Sequence, residues 1–323
     1  MLLDGQVEAD VERAAGLLAD GELVAFPTET VYGLGARADD DRAVSKIFSA
    51  KGRPANHPLI VHVAEPADAA RFVSHMPLVA QRLIDAFWPG PLTVIVPRAN
   101  GIGAAASGGQ PNIGLRCPAH PVAHALLIAA RRRGVAGPSA NRFGRVSPTQ
   151  AAHVLAEFDP PVAVLDGGAC SVGIESSIVD CSRGHAVLLR PGVLTRARIE
   201  AAAGERLLEP DAQAPRAPGT LAAHYAPNAR LRLMSTQMLA TALQMLARES
   251  LSLAVYSRSL PLNLAPHVRH RRMPVQPEQA AQELFSVVRE LDAEGVQLIW
   301  VEEPPPGPEW DGVRDRLQRA AAA

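Results

Sequence analysis

The sequence predicts an α/β protein in two parts. A larger N-terminal domain is built on a twisted, mixed sheet with helices, and a smaller C-terminal domain on a Rossmann-like parallel sheet. Three observations point to this. The chain has 323 residues, more than one typical domain needs. Short apolar runs and amphipathic stretches mix without strict alternation up to residue 206, then alternate regularly from 230 onward. Between them, residues 207–229 carry four prolines and little periodicity, as a linker does. The expected domains are therefore 1–206 and 230–323, joined by 207–229.

The elements follow in order. Residues 7–19 have helical period and stop at Gly21. The runs at 23–26 and 59–63 read as buried strands, with a helix over 41–49 between them. Residues 77–88 are helical and break at Pro89-Gly90-Pro91. PLTVIVP (91–97) and NIGLR (112–116) read as strands. Residues 120–134 read as a helix ending in three arginines and Gly134, where cations suit the helix dipole. Residues 162–168, 176–181 and 186–192 read as three further strands. Beyond the linker come strand 231–234, helix 236–249, strand 253–257, helix 277–294, strand 297–301 and a last helix from about 309. No GxGxxG follows the first of these strands, so dinucleotide binding is not supported.

Composition narrows the function. Apolar residues make up 47%, charged residues 20%, and the net charge is −1. Residues 1–206 hold 20 basic and 20 acidic side chains and the remainder 12 and 13, so neither half is a generally basic nucleic-acid binder. No apolar run reaches the roughly 20 residues that span a bilayer. The N-terminus, MLLDGQVEADVER, is acidic and lacks a leader pattern. The three cysteines have no CxxC spacing, which fits neither a disulfide framework nor a zinc site. The expectation is a cytoplasmic protein without a dedicated metal site. Lys46 and Lys51 are the sole lysines, a bias that genomic base composition explains first.

Four segments place polar residues where a plain core strand would not. PTETVYGLG (27–35) groups Thr28, Glu29, Thr30 and Tyr32 before glycines that let backbone approach a ligand, or it is an ordinary turn. KGRPANHPLIVH (51–62) sets Lys51 and Arg53 two apart, either a polyphosphate clamp or a solvated loop. Its His62 sits in an apolar strand, where a satisfied core histidine is the commoner case. GPSANRFGRVSPTQ (137–150) offers Ser139, Asn141 and Ser147, small groups suited to phosphate or ribose oxygens. Ser147-Pro148 is equally a helix start. DGGACSVGIESSIVD (166–180) and LLRPG (188–192) bring Glu175, Ser176, Ser177 and Arg190 to strand ends. No Walker A, HExxH or GxSxG is present. From the residues alone this is an α/β enzyme handling an anionic ligand.

Taken together, the strings PTETVYGLG, IFSAKGRP with PLIVH, PGPLTVIV, IGLRCPAHP, GPSAN with GRVSPTQA, DGG with GIESSIVD, and LLRPG resemble the YrdC-like threonylcarbamoyl-AMP synthases, over about residues 10–200. HYAP (224–227) and the domain behind it resemble the long, two-domain branch. The resemblance implies a nucleotidyltransferase that makes threonylcarbamoyl-AMP from L-threonine, bicarbonate or CO2, and ATP, releasing pyrophosphate, with Mg2+ travelling on the nucleotide. The product would feed N6-threonylcarbamoylation of adenosine 37 in tRNA, through handover to a transferase complex, with weak RNA binding as a further partner property. It implies Lys51, Arg53, Ser139 and Asn141 as the catalytic polar set, and Thr30, His62, Arg116 and Ser176 as the threonine site. It implies Arg53, His57, Asn112, Ser139, Ser147, Arg190 and Tyr225 as ATP contacts. This chain departs from the family pattern at His57, where asparagine is common, at Ser177, where threonine is common, and in the linker string PGTLAAHYAP.

Overall fold

The computed structural model describes residues 1–246, 252–260 and 268–323. They form two compact units: Met1–Phe143 with Ser147–Thr220, and Gly144–Val146 with Leu221–Ala323. Residues 207–220 thus pack with the first unit and 221–229 with the second.

The first unit opens with Leu2–Asp4 (β1), Glu8–Ala19 (α1), Val24–Phe26 (β2) and Gly33–Arg37 (β3). The next helix, Asp41–Lys51 (α2), starts at Asp40, whose carboxylate accepts from the amides of Arg42 and Ala43, and stops at Gly52 in the left-handed region. Then follow Ile60–His62 (β4), Leu78–Phe87 (α3), Leu92–Pro97 (β5), Asn112–Arg116 (β6), Pro121–Ala129 (α4), Val135–Ala136 (β7), Ala151–Leu155 (α5), Ala163–Asp166 (β8), Ser177–Asp180 (β9), Val187–Arg190 (β10) and Arg196–Ala203 (α6). The ten strands make one mixed sheet in the order β1-β8-β2-β3-β7-β4-β6-β5-β9-β10.

Strand alternation divides the core. Val24 and Phe26 face a cluster with α1 and α4, while Ala25 faces a larger one with α2, α3 and α6. On β4, Val61 joins the larger cluster, and Ile60 points the other way to Ile95, Ile178, Val187 and Leu189. That second face is apolar only in part: His62 is two residues on from Ile60 and shares its side.

Several elements differ from expectation. β3 begins within PTETVYGLG, hidden from periodicity because its residues are glycine-rich and buried on both faces. β1 and β7 are too short to show a pattern. The helix expected over 120–134 ends at Ala129, and Arg131 and Arg132 turn into the left-handed region. Ser147 does not cap a helix; α5 starts at Ala151, after Gln150.

The second unit comprises Arg230–Met234 (β11), Thr236–Leu246 (α7), Leu253–Ser257 (β12), Val268–Arg272 (β13), Pro277–Ala293 (α8), Leu298–Glu302 (β14) and Asp311–Ala321 (α9). Residues 247–249 of the expected helix lie outside the described residues. Its sheet is wholly parallel, in the order β11-β14-β12-β13. β13 reads VRHRR, with no alternation to announce it. It lies at the sheet edge, where Arg269 pairs with Glu294 and Arg271 with Glu290, and such charges discourage further strand pairing. Among the described residues no helix is long and apolar enough to cross a membrane.

Candidate active site

The site grows from the polar end of one sheet face. β4 and β6 run parallel with His62 opposite Arg116. The Arg116 guanidinium is buried and held from three sides. Nε donates to Gly90 O at 3.2 Å, Nη1 to Thr30 Oγ1 at 2.7 Å, and Nη2 pairs with Glu29 Oε1 at 2.6 Å. The loop after β2 makes this possible. Thr28 Oγ1 donates to Val31 O at 2.6 Å and lies 2.8 Å from Thr30 Oγ1, tightening the turn, while Glu29 Oε2 accepts from the Ala119 amide at 3.2 Å. Tyr32 then anchors the loop by donating to Asp166 and Gly168 O.

His62 stands edge-on to Phe26, ring centroids 5.5 Å apart. Burial, and then the neighbouring Arg116 charge, push its pKa down to about 3, so it is a neutral imidazole at any ordinary pH. Its Nδ1 has no protein partner. Gly137 runs close beside it: a Cβ there would lie 3.1 Å from Nδ1 and 3.0 Å from the Phe26 ring.

A second group lies at the start of β9. Ser176 Oγ is 2.7 Å from Thr93 Oγ1 on β5. Arg190, at the end of β10, donates Nε and Nη2 to Ser176 O at 3.1 and 2.9 Å, and Nη1 to Pro218 O at 2.9 Å. The fork thus ties the β9 start to residues 207–220, whose Ala214 and Ala217 pack on the Ile60–Ile178 cluster. Gly192 is required here: a Cβ would meet the Ser177 amide at 2.6 Å.

The third group gathers at the C-terminus of α2. Lys51 Nζ donates to Ser139 O at 2.5 Å and also to Asn141 O. Burial, and then the nearby Arg53, lower its pKa well below the ordinary lysine value, against the opposing pull of Glu157 and Glu175. Arg53 donates to Pro58 O at 2.9 Å and lies over the Phe143 ring, which His57 meets edge-on. Burial, then Arg53 and Arg216, lower the His57 pKa. Ser147 Oγ donates to Glu175 Oε1 at 2.5 Å.

Most sequence-derived candidates therefore fall into three groups: Thr30, His62 and Arg116; Ser176 and Arg190; Lys51, Arg53, His57, Ser139 and Asn141, with Ser147 on Glu175. Two stand apart. Asn112 opens β6 opposite Pro97, at the far end of the strand from Arg116. Tyr225 belongs to the second unit, with φ +63°, its ring 5.4 Å from Phe285 and 5.5 Å from the Arg316 guanidinium carbon. Sequence reasoning did not assign roles to Glu29, Thr93 and Glu175, though each holds a named candidate. The signal was there for two of them: a carboxylate inside PTET and inside GIESS is costly to bury without a partner.

The folded domains define a two-domain α/β protein whose first unit gathers buried arginine, hydroxyl and carboxylate groups at its strand ends. The Sua5/YciO/YrdC profile, whose description reads "Telomere recombination", matches residues 16–192, and a profile for the threonylcarbamoyl-AMP synthase C-terminal domain matches 194–322. The chain belongs to the Sua5/YciO/YrdC family. It is 42% identical to threonylcarbamoyl-AMP synthase of Pyrococcus abyssi over 230 residues, 69% of this chain and 67% of the relative. It is 36% identical to threonylcarbamoyl-AMP synthase of Bacillus subtilis over 326 residues, 97% of this chain and 93% of that one. Its fold matches the crystal structure of P. abyssi Sua5 complexed with L-threonine at TM-score 0.90 and 34% identity, over 99% of this chain and 97% of the other.

Proposed function

We propose that this chain is a threonylcarbamoyl-AMP synthase that joins L-threonine, bicarbonate or CO2, and ATP, releasing pyrophosphate, as a nucleotidyltransferase. One observation carries the reading. A buried guanidinium (Arg116), a hydroxyl bonded to it (Thr30) and a neutral imidazole (His62) meet at paired strand ends. The P. abyssi protein sharing this fold over 99% of the chain binds L-threonine.

In this reading the threonine carboxylate shares Arg116, whose Nη1 carries a second hydrogen beyond that given to Thr30 and whose Nη2, ion-paired with Glu29, donates to no protein acceptor. His62 Nδ1 and the Ser176 hydroxyl face the substrate's own polar groups. The neutral amine adds to CO2 and loses a proton, giving a carbamate. A carbamate oxygen attacks the α-phosphorus, the bond from that phosphorus to the bridging oxygen breaks, and the electron pair leaves with pyrophosphate. Lys51, Arg53 and Arg190 stabilise the charge on the phosphoryl oxygens. Incoming triphosphate favours the charged form of Lys51 and reverses its lowered pKa. Ser139, Asn141, Ser147 and His57 contact the nucleotide in this reading. A Mg2+ ion carried by the triphosphate, whose oxygens it prefers as ligands, would add charge neutralisation at the pyrophosphate leaving group. The labile product then passes to a transferase that modifies tRNA.

The test is pyrophosphate release by the purified chain with ATP, bicarbonate and Mg2+, comparing L-threonine with L-serine, L-valine and no amino acid. Threonine-dependent release, with the carbamoyl-adenylate detected by mass, is expected. A folded protein that releases none under any amino acid overturns the reading. Arg116→Lys keeps the charge and loses the fork. It is expected to raise the KM for threonine by roughly tenfold or more while barely moving that for ATP. Equal effects on both substrates contradict the carboxylate role.

A further inference from the structure

Away from the residues gathered above, the C-terminal ends of α1 and α4 border a half-open surface pocket of about 450 Å3. Small residues line it: Ala15, Gly16 and Ala19 from α1, Ala129 from α4 and Ala130 just beyond its end. Gly16 is mid-helix, and a Cβ there would meet nothing within 4 Å, so packing does not require glycine at this point. Three arginines, Arg37, Arg131 and Arg133, stand around these small residues, with Glu12 as the single acidic wall residue.

The intramolecular charge balance leaves this rim positive. Asp39 is the shared carboxylate of Arg37 at 3.1 Å, Arg71 at 2.9 Å and Arg133 at 3.6 Å, and Arg37 Nη1 also donates to Ala19 O at 3.1 Å. Arg132 turns away to Glu65 and Asp68. The Arg131 side chain is exposed and pairs with none of the described residues, so it is open to a ligand from solvent. The backbone is also unusual. Arg131 and Arg132 have φ of +57° and +55°, where a Cβ crowds the carbonyl and glycine or asparagine is the ordinary choice. This conformation directs Arg132 outward and leaves Arg131 and Arg133 on the pocket. Cations at helix C-termini are common. That accounts for arginine near Ala129, but not for two successive left-handed arginines.

We propose that this pocket binds a phosphate-type oxyanion, either free or carried on a small nucleotide, through Arg37, Arg131 and Arg133. Guanidinium forks match the oxygens of such anions, and the small lining residues leave room for a ring beside them. The site is separate from the residues of the proposed reaction and independent of that reaction.

The test is hydrogen exchange of the full chain, read over residues 126–134, with inorganic phosphate, pyrophosphate or AMP added to about 10 mM. Protection of that segment by at least one of them is expected, lost in the Arg131→Ala/Arg133→Ala double variant and kept in Lys51→Ala, which disables the proposed reaction. Protection by phosphate or pyrophosphate equal to that by AMP assigns the free anion. Stronger protection by AMP assigns a nucleotide. No protection by any of the three, or protection undiminished in the double variant, overturns the site. Arg131→Gly separates function from chain geometry: it relieves the left-handed backbone and should raise the melting temperature while weakening protection severalfold. A higher melting temperature with unchanged protection means that the arginine merely ends the helix, and the proposal fails.

Discussion

Each unit buries an arginine–glutamate pair at strand ends, and the two pairs are finished differently. In the second unit, Glu302 at the end of β14 is fully enclosed. It accepts from Thr236 Oγ1 at 2.7 Å, from the amides of Arg258 and Ser259 at 2.6 and 2.9 Å, and from the Arg258 guanidinium at 3.3 Å. Burial pushes this carboxyl up, yet the hydrogen bonds from Thr236, Ser259 and Arg258 together bring it below the usual value. The amides after β12, which in parallel α/β folds often meet a ligand's anion, are here filled by the protein's own carboxylate. In the first unit, Glu29 and Arg116 pair at 2.6 Å, but His62, opposite Arg116 in the sheet, has no protein partner at Nδ1. A closed network stabilises a fold, and an incomplete one is where a substrate finishes the hydrogen bonding.

Breaking the closed network should give the largest effect. Glu302→Ala leaves two amides, a hydroxyl and the Arg258 charge without their shared acceptor. It is expected to destabilise the second unit by about 3–5 kcal/mol in denaturant unfolding. Glu302→Gln, which keeps the size and part of the acceptor set, should cost less. If Glu302→Ala unfolds like the parent chain, the network is not what holds these strand ends.

The open network has a pH signature. The His62 pKa falls from 6.5 to about 3 on folding, so the unfolded chain binds more protons between those values. The stability tied to neutral His62 is complete above pH 6.5, declines as the pH falls from there, and is fully lost below about 3. At pH 4.5 the loss is about 3 kcal/mol. Denaturant unfolding at pH 7.5 and 4.5, for the parent chain and His62→Phe, checks this. The variant should lose clearly less on acidification. Equal losses assign the acid sensitivity to other groups.

The comparison also explains what the sequence made legible. The two-part α/β plan, the parallel second sheet and most helices follow from periodicity and proline placement. β3 and β13 do not, because one is glycine buried on both faces and the other is arginine at an edge, so neither alternates. The clustering of Thr30 with Arg116, and of Lys51 with Ser139 and Asn141, joins residues 86 and about 90 positions apart. No local pattern encodes such pairings; the family resemblance brought these residues forward. What neither periodicity nor resemblance supplied was the set of partners: Glu29 for Arg116, Thr93 for Ser176, Glu175 for Ser147. Each is a polar residue whose cost of burial is offset by a contact from a distant strand or loop.

The smallest expected effect sharpens the last of these partnerships. Ser147 is also readable as a helix cap, and the two roles make different demands. A cap gives its hydroxyl oxygen to a nearby amide, and Ser147→Ala at a cap would destabilise the helix while Ser147→Asn would restore it. In the structure Ser147 instead donates to Glu175, at 2.5 Å, and α5 begins four residues later. Ser147→Ala is then expected to cost about 1–2 kcal/mol in unfolding, because a buried carboxylate oxygen loses a donor. Ser147→Thr should retain most of that stability, since it keeps the hydroxyl, whereas Ser147→Asn should not rescue it. Full rescue by asparagine would return Ser147 to the capping role and remove the tie between the 137–150 loop and Glu175.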